Sequence, residues 1–230
     1  MRLMYGIVLL LVGAAAACGD DGDGGSSPTD AIAASDSGGG GDAFPNTPSL
    51  RVDWDARPQL GSVSTTLSVS KAQVHADRLQ VISDVEDPTQ TTARNLDLVW
   101  LDTGLVPDSV RFDDAPPALY SKIKVSLDED QTATRGSVRI EGKVDAGMGM
   151  RDFTIETFRP TSIEVSGYST SVFPGGTAKM GIDLDVAAAL AHVDWANLNH
   201  PASTYVLDDT QTTAMDAFLV DLDAAFLRTP

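Results

Sequence analysis

The sequence predicts a mainly β fold, an antiparallel β-sandwich with one or two appended α-helices that include a C-terminal amphipathic helix. From Leu50 onward, short runs of alternating apolar and polar residues are interrupted by Gly, Pro, Asp and Asn. These runs recur every roughly eight to fifteen residues without a helical pattern between them, which favours antiparallel sheets over a parallel sheet with crossover helices. Apolar residues at helical spacing occur only after Asp185.

The chain begins with the pattern of a secretory signal. Arg2 gives a short positive region, residues 3–12 are apolar, and three alanines at 15–17 directly precede Cys18. The apolar run is too short to span a membrane, and small residues at its end suit a signal peptidase. We therefore predict a signal peptide over residues 1–17.

Cys18 is the only cysteine of the chain, and the stretch before it resembles the lipobox of bacterial lipoproteins. The resemblance implies a diacylglycerol on the Cys18 sulfur, cleavage just before it and an acylated new amino terminus. The stretch departs from the family at Ala15, where Leu is usual. Ordinary secretion is the alternative, but it would leave an unpaired thiol in an oxidising compartment. Several acyl chains, at ~0.8 kcal/mol per buried methylene, would hold the protein on a bilayer.

Residues 18–48 are predicted to be a lipidated cysteine followed by a disordered tether, and residues 49–230 to be the folded domain. Residues 19–48 hold eight Gly and six Asp but no Lys or Arg, so they lack the apolar surface that would offset the entropy of ordering. A coil of this length has a mean reach of about 30 Å, which predicts a domain standing off the membrane. In lipoproteins that this stretch resembles, an Asp directly after the lipidated Cys retains the protein in the inner membrane. This chain has Gly19 at that position, which favours the outer membrane.

The net charge of the chain limits the kinds of partner that it can bind. The formal charge of −17, from 33 Asp and Glu against 16 Lys and Arg, repels nucleic acid and anionic lipid headgroups. With one cysteine, the chain forms no intramolecular disulfide, so packing alone stabilises the domain. No cofactor-binding motif is present, and we predict none.

The β segments are predicted from alternation. The first strand begins at Val63 and has a bulge or bend near residues 71–72, where the apolar phase slips. A polar segment at 84–94 is predicted to be a loop, and the strand at 96–101 to be buried on both faces. Further strands are predicted at 110–112, 119–127, 138–144, 153–157, 163–165 and 180–184, with an acidic loop at 128–130.

Two helices are predicted after the strands. Residues 185–198 place Val186, Leu190 and Val193 at helical spacing, with Asp185 as the N-cap. Residues 210–228 carry one apolar stripe, with Thr213 and Asp216 as a capping box. We expect this stripe to pack on the β domain, because helix stability comes mostly from tertiary burial.

Several segments together resemble a family of bacterial lipoprotein domains of unknown function. In that family a Pro-Gly-x-Tyr turn leads into an alternating strand, and a late Pro-Gly-Gly turn leads into a strand ending in Asp. Ala118 stands here where the family turn usually has Gly. The resemblance implies a β-sandwich on the cell envelope with no established reaction. The matching segments are residues 67–74, Asp97-Leu98, 114–125, Pro174-Gly175-Gly176 and 182–185.

Candidate chemistry is sparse, and no catalytic or metal-ligating residue is assigned. His192, Asp194 and His200 lie within nine residues but lack the i, i+4 spacing of a helical zinc site. His75 is expected to be an exposed or edge residue of a strand. Acidic runs at Asp113-Asp114, 128–130 and Asp208-Asp209 are expected to be solvated loops, with calcium as the alternative. Aromatic residues could line a sugar-binding face, but core packing is the expectation; they are Trp54, Trp100, Trp195, Tyr120, Tyr168 and Tyr205.

The sequence therefore predicts a lipid-anchored protein of the bacterial cell envelope with a non-catalytic binding or structural β-sandwich. A protein or a glycan is the expected ligand, and the oligomeric state is left open. The alternatives are an envelope hydrolase whose site is not readable from sequence and a calcium-stabilised adhesion module.

Replacing Cys18 tests the anchor. Cys18→Ala should release the protein from the membrane fraction or leave it uncleaved, because the acyl chains then have no attachment site. Cell fractionation with immunoblotting measures both outcomes, and Ser26→Ala serves as a control that should remain processed and membrane-bound. A processed Cys18→Ala protein that stays on the membrane would contradict the prediction.

Overall fold

The protein is described from a computed structural model that covers residues 47–85, 89–127, 136–199 and 203–229. The elements are β1 (Ser49–Ala56), β2 (Gly61–Ser62), β3 (Leu67–Ser83), β4 (Thr89–Leu101), β5 (Val110–Asp113), β6 (Ala118–Leu127), β7 (Val138–Asp145), β8 (Met150–Thr157), β9 (Thr161–Val172), β10 (Thr177–Leu184), α1 (Val186–Ala189), β11 (Tyr205–Leu207), α2 (Thr212–Ala225) and β12 (Phe226–Arg228). A 3-10 turn lies at Trp195–Asn197.

The strands form two sheets, which confirms the mainly β fold with an appended C-terminal helix. The four-stranded sheet has the order β12-β10-β1-β5, and the eight-stranded sheet runs β11-β8-β7-β3-β6-β9, with β2 and β4 also paired to β3. Most pairs are antiparallel, but β1 lies parallel to β10 and β8 parallel to β11. Each sheet is therefore mixed. The two parallel pairs join strands that are far apart in sequence, as parallel pairing requires a long connection.

The longest strand, β3, links the parts of the eight-stranded sheet. It pairs with β4 along most of its length, with β7 in its first half and with β6 in its second half. Its pairing with β7 shifts register between Val69 and Lys71, next to the bulge predicted at 71–72. A second shift lies between Ala76 and Arg78. These bulges let one strand bend across several partners.

One hydrophobic core lies between the sheets. Trp100 of β4 makes edge-on contact with Trp54 of β1 at a ring-centroid distance of 6.3 Å and with Phe226 of β12 at 6.2 Å. The Trp100 indole Nε1–H donates to the Asp55 carbonyl at 3.0 Å. The fully buried Trp100 thus joins the two sheets by packing and by a hydrogen bond.

Four strands were not identified in the sequence. β1 buries Leu50, Val52, Trp54 and Ala56 and shows the alternation that predicts a half-buried strand. β2 has two residues, and β11 and β12 have three each, which is too short for a periodic signal.

Two loop and strand boundaries were wrong. The segment predicted as a loop at 84–94 enters β4 at Thr89, where its Thr-rich sequence pairs with β3; Asp87 and Pro88 lie outside the described residues. The strand predicted from Val63 is instead a tight turn there, in which the amide groups of Val63 and Ser64 both donate to the Leu67 carbonyl. The backbone satisfies these groups locally before β3 begins.

The helix predicted at 185–198 was mostly wrong. Only Val186–Ala189 is α-helical, although Asp185 does cap it by accepting from the Ala188 amide at 3.0 Å. The next turns close with bonds from Ala191 to Ala188 and from Val193 to Leu190. Residues 191 and 192 are exposed, so no apolar stripe holds further helical turns against the core.

The C-terminal helix was predicted correctly in its burial but not at its ends. Met215, Phe218 and Leu222 are buried on α2, and Phe226 is buried just after it. The helix ends at Ala225 because the next three residues pair with β10. The predicted capping box is absent, since the N-cap is Gln211 and the Asp216 carboxylate pairs with Arg159. The stripe also predicts that Asp216, Asp221 and Asp223 face water; Asp216 and Asp223 are exposed, but the Asp221 side chain is only 19 % exposed.

Truncating Phe218 tests the burial of the helix. Phe218 is 1 % exposed, so Phe218→Ala should destabilise the fold by ~3–5 kcal/mol through lost burial and the remaining cavity. Val220, 70 % exposed on the same helix, is the matched control, and Val220→Ala should change stability by less than about 0.5 kcal/mol. Equal denaturation midpoints for the two variants would show that the stripe does not stabilise the domain.

Candidate binding cleft

A cleft of about 560 Å³ opens beside the end of β12, between β9 of one sheet and β10 of the other. Four strands, β1, β9, β10 and β12, contribute to it, together with the residue that follows β12. Its lining residues are Asp53, Trp54, Asp55, Tyr168, Ser169, Thr170, Lys179, Met180, Gly181, Arg228 and Thr229.

The β10 strand presents part of an open edge to this cleft. On one side β10 pairs with β1 along its whole length, but on the other side β12 covers only Ile182–Leu184. The Thr229 amide, just past β12, donates to the Gly181 carbonyl at 3.0 Å. Because alternate residues of a strand point their backbone groups to the same side, the Lys179 amide and carbonyl face the cleft. No described strand pairs with Lys179 on that side.

Tyr168 crosses from β9 to β10 at the cleft. Gly167, with φ +84°, precedes it in a backbone conformation that favours glycine, and the β6–β9 register shifts here. The Tyr168 hydroxyl donates to the Gly181 carbonyl at 2.7 Å, and Arg228 donates to the Gly167 carbonyl. Burial raises the pKa of Tyr168 above its ordinary value, and the Asp183 charge adds to this while Arg228 opposes it. Tyr168 therefore acts as a neutral hydrogen-bond donor.

Asp183 is a buried carboxylate next to the cleft. Its side chain accepts from the Thr229 hydroxyl at 2.8 Å and pairs with Arg57 at 3.0 Å. Thr229 reaches it by lying over Gly181, where an added Cβ would come within 2.7 Å of the Thr229 Oγ1 and 2.8 Å of its Cβ. The absence of a side chain at Gly181 thus lets the C-terminal residues close over β10. A carboxylate with two such partners fixes the position of those residues.

Of the charged side chains along the cleft, Asp53 has a direct ion-pair partner among the described residues and Lys179 does not. Asp53 pairs with Arg51 at 2.6 Å. Burial opposes ionisation of Asp53, but hydrogen bonds from Arg51 and Ser109 and the charge of Lys179 outweigh it and lower the pKa of the Asp53 carboxyl. Lys179 acts on Asp53 through its charge but makes no direct ion pair with any described residue, and the residue is exposed. Its ammonium group therefore remains within reach of an incoming ligand.

The histidines predicted as a weak cluster are separated by their partners. The side chain of His192 is 77 % exposed and lies 3.0 Å from the Asp221 carboxylate, whereas Asp194 accepts from the Asn197 amide. His200 lies outside the described residues. His75 was expected to be exposed or at a sheet edge and is neither. Its side chain is 16 % exposed and lies 2.9 Å from Asp97, and β3 has neighbours on both sides.

The acidic loops hold structural contacts. Asp209 accepts from the Thr157 hydroxyl at 2.7 Å and the Phe158 amide at 2.8 Å, and it pairs with Arg159. Asp113 pairs with Arg111 at 2.7 Å. Within the described ranges, no three His, Cys, Asp or Glu side chains group as metal ligands would; residues 128–130 lie outside those ranges.

The aromatic residues are part of the core rather than an exposed platform. Five of the six named above are less than 9 % exposed: Trp54, Trp100, Tyr120, Tyr168 and Tyr205. Trp195 is partly buried and packs on Phe153 at a ring-centroid distance of 4.8 Å. Core packing thus accounts for these residues, as expected.

Sequence reasoning missed the cleft. Only Trp54 and Tyr168 of its lining were named as candidates, and both were assigned to the core. Two signals in the sequence could have indicated it. One was the alternation of β1, which contains Asp55. The other was Gly181 within a strand, since a glycine in a strand often marks a close approach of another chain segment.

No family model, curated protein or solved structure matches the chain. The resemblance to envelope lipoprotein domains therefore stays a prediction. Cys18 and the tether through residue 46 lie outside the described residues. No described helix is long and apolar enough to cross a membrane.

Removing the Tyr168 hydroxyl tests its role in the cleft. Tyr168→Phe should destabilise the fold by roughly 0.5–1.5 kcal/mol near neutral pH, because the Gly181 carbonyl loses a donor. A raised folded-state pKa means that the unfolded state loses its proton first as pH rises above about 10. Wild-type stability should then fall relative to the variant, by up to about 1.4 kcal/mol per pH unit. Denaturant titrations from pH 7 to 11 measure the difference; a constant difference would contradict the prediction.

Proposed function

We propose that this chain is a lipid-anchored protein of the bacterial cell envelope whose β domain binds an extended polypeptide segment of a partner protein. The observation that carries the binding role is the uncovered edge of β10 beside the cleft. The anchor rests on the signal pattern before Cys18 and on the resemblance to bacterial lipoproteins. This role is non-catalytic, and the resemblance to envelope domains with no established reaction agrees with it.

The edge of β10 supports binding by strand addition. An edge strand presents backbone donors and acceptors in a row, and an extended peptide can pair with them as an added strand. At this edge β12 already occupies the neighbouring position, but it stops at Arg228. A partner strand would continue along the same side of β10, pairing with the backbone of Lys179.

The opposite wall of the cleft supports the same ligand. β9 lies at the end of the eight-stranded sheet, and its Ser169 and Thr170 are among the residues that line the cleft. A strand placed between β9 and β10 would therefore meet the backbone of β10 on one side and polar residues of β9 on the other. Such polar walls suit a peptide backbone, which must satisfy its own donors and acceptors when it is buried.

The charges of the cleft favour a particular peptide. Lys179 is unpaired among the described residues, whereas Asp53 has Arg51 as its partner. A carboxylate on the bound segment would be attracted to the Lys179 ammonium group, whereas the acidic surface elsewhere on the domain would repel it. The proposed ligand is therefore an extended segment carrying an acidic side chain next to the added strand.

Site-specific photocrosslinking in cells tests this function. A photoreactive residue in place of Ser169 should crosslink to one recurring partner segment, and adding Lys179→Glu should reduce that crosslink because it repels the acidic side chain. The matched control places the photoreactive residue at Val220, exposed on α2. Mass spectrometry of the adducts identifies the partner. Adducts to glycan, or identical adducts from positions 169 and 220, would contradict the proposal.

A further inference from the structure

An exposed apolar surface lies at one end of the eight-stranded sheet. Phe173 is 68 %, Val85 56 % and Leu119 39 % exposed. Register brings them together, since Leu119 pairs with Ser171, two residues before Phe173, and the Asp84 amide donates to the Leu119 carbonyl at 2.9 Å. We call Val85, Leu119 and Phe173 the apolar end.

Alternation places two of these side chains on the outer face of the sheet. On β9 after Gly167, Tyr168 and Val172 are buried, while Ser169 and Ser171 are exposed. Phe173 continues the exposed series. On β6 the side chain of Leu119 points to the opposite face of the sheet from the buried side chain of Tyr120. The core therefore does not require these apolar side chains, and exposed apolar residues that cluster mark an interaction surface.

The apolar end lies close to the start of β1. The Gly176 amide donates to the Phe173 carbonyl, and the Ser49 amide donates to the Gly176 carbonyl, each at 2.9 Å. Ser49 also contacts the Thr177 hydroxyl at 3.0 Å. Two consecutive backbone hydrogen bonds thus connect the Phe173 backbone to Ser49, the first residue of β1 and the end of that strand nearest to Cys18 in the sequence.

We infer that the apolar end contacts the surface of a bilayer of uncharged phospholipids, with Phe173 inserted at the boundary between headgroups and acyl chains. This inference rests on the proposed lipid anchor. Exposed Phe and Leu side chains gain free energy when they are buried at that boundary. The anchor keeps the domain near the bilayer at a high effective concentration, so a few apolar side chains suffice for contact.

Charge and tether length are consistent with this contact. Asp84 is exposed beside Leu119, and Asp113, paired in register with Ser49, has a side chain that is 70 % exposed. These carboxylates, with the net charge of −17, disfavour anionic headgroups. The reach of about 30 Å is a mean for a flexible coil, and such a coil also allows its two ends to approach each other. The distance between the domain and the bilayer that the tether predicts is therefore not fixed, and the domain can also approach the bilayer surface.

Depth-dependent fluorescence quenching tests the inference. The full processed chain is reconstituted into phosphatidylcholine vesicles with bromine on the acyl chains, as Phe173→Trp and, for the control, as Val220→Trp. The two positions have similar exposure, 68 % and 70 %, and both variants share the same three native tryptophans. Phe173→Trp should show a blue shift and quenching that Val220→Trp lacks. Replacing phosphatidylcholine with phosphatidylglycerol should weaken both effects through charge repulsion.

Each contrary outcome is distinguishable. Equal quenching of the two variants would overturn the inference. So would a dimer in vesicle-free solution that Phe173→Ser abolishes, because the apolar end would then be an interface between copies. Flotation of Cys18→Ser tests the anchor separately: a variant that is processed and still floats like wild type removes the anchor proposal, while the contrast between positions 173 and 220 still decides the apolar end.

Discussion

The packing of Trp100, a residue of the eight-stranded sheet, against the four-stranded sheet is the contact on which the fold depends. Its indole packs edge-on against Trp54 of β1 and Phe226 of β12, and it donates a hydrogen bond to the backbone of β1. A chain with no intramolecular disulfide must close its sheets by burial alone. The three aromatic rings do this while tying the first and last strands of the domain to β4.

The closure of the C-terminal residues over β10 shapes the candidate cleft. Thr229 fits over Gly181 and bonds to the buried Asp183, and Tyr168 and Thr229 both donate to the Gly181 carbonyl. β12 therefore ends where these contacts end. The rest of the β10 edge is left beside the cleft, so one set of contacts both completes the core and leaves a surface for binding.

Local sequence patterns predicted the elements whose signal is local. The alternation at 119–127 gave β6 within one residue, and the apolar stripe of α2 identified its buried face. The patterns did not predict the end of α2, because Phe226 satisfies a helical stripe and a strand equally well until β10 pairs with it. They also did not predict the cleft, whose walls come from strands far apart in sequence.

The sequence by itself determined the mainly β class, the burial of the C-terminal stripe and the pattern that predicts the lipid anchor, since each depends on neighbouring residues. Tertiary structure decided the parallel pairing of β1 with β10, in which Ser49 contacts a residue 128 positions away. It likewise decided the open edge at Lys179 and the exposed position of Phe173 close to the start of β1. The physical reason is that backbone hydrogen bonds between strands carry no side-chain pattern that names their partner.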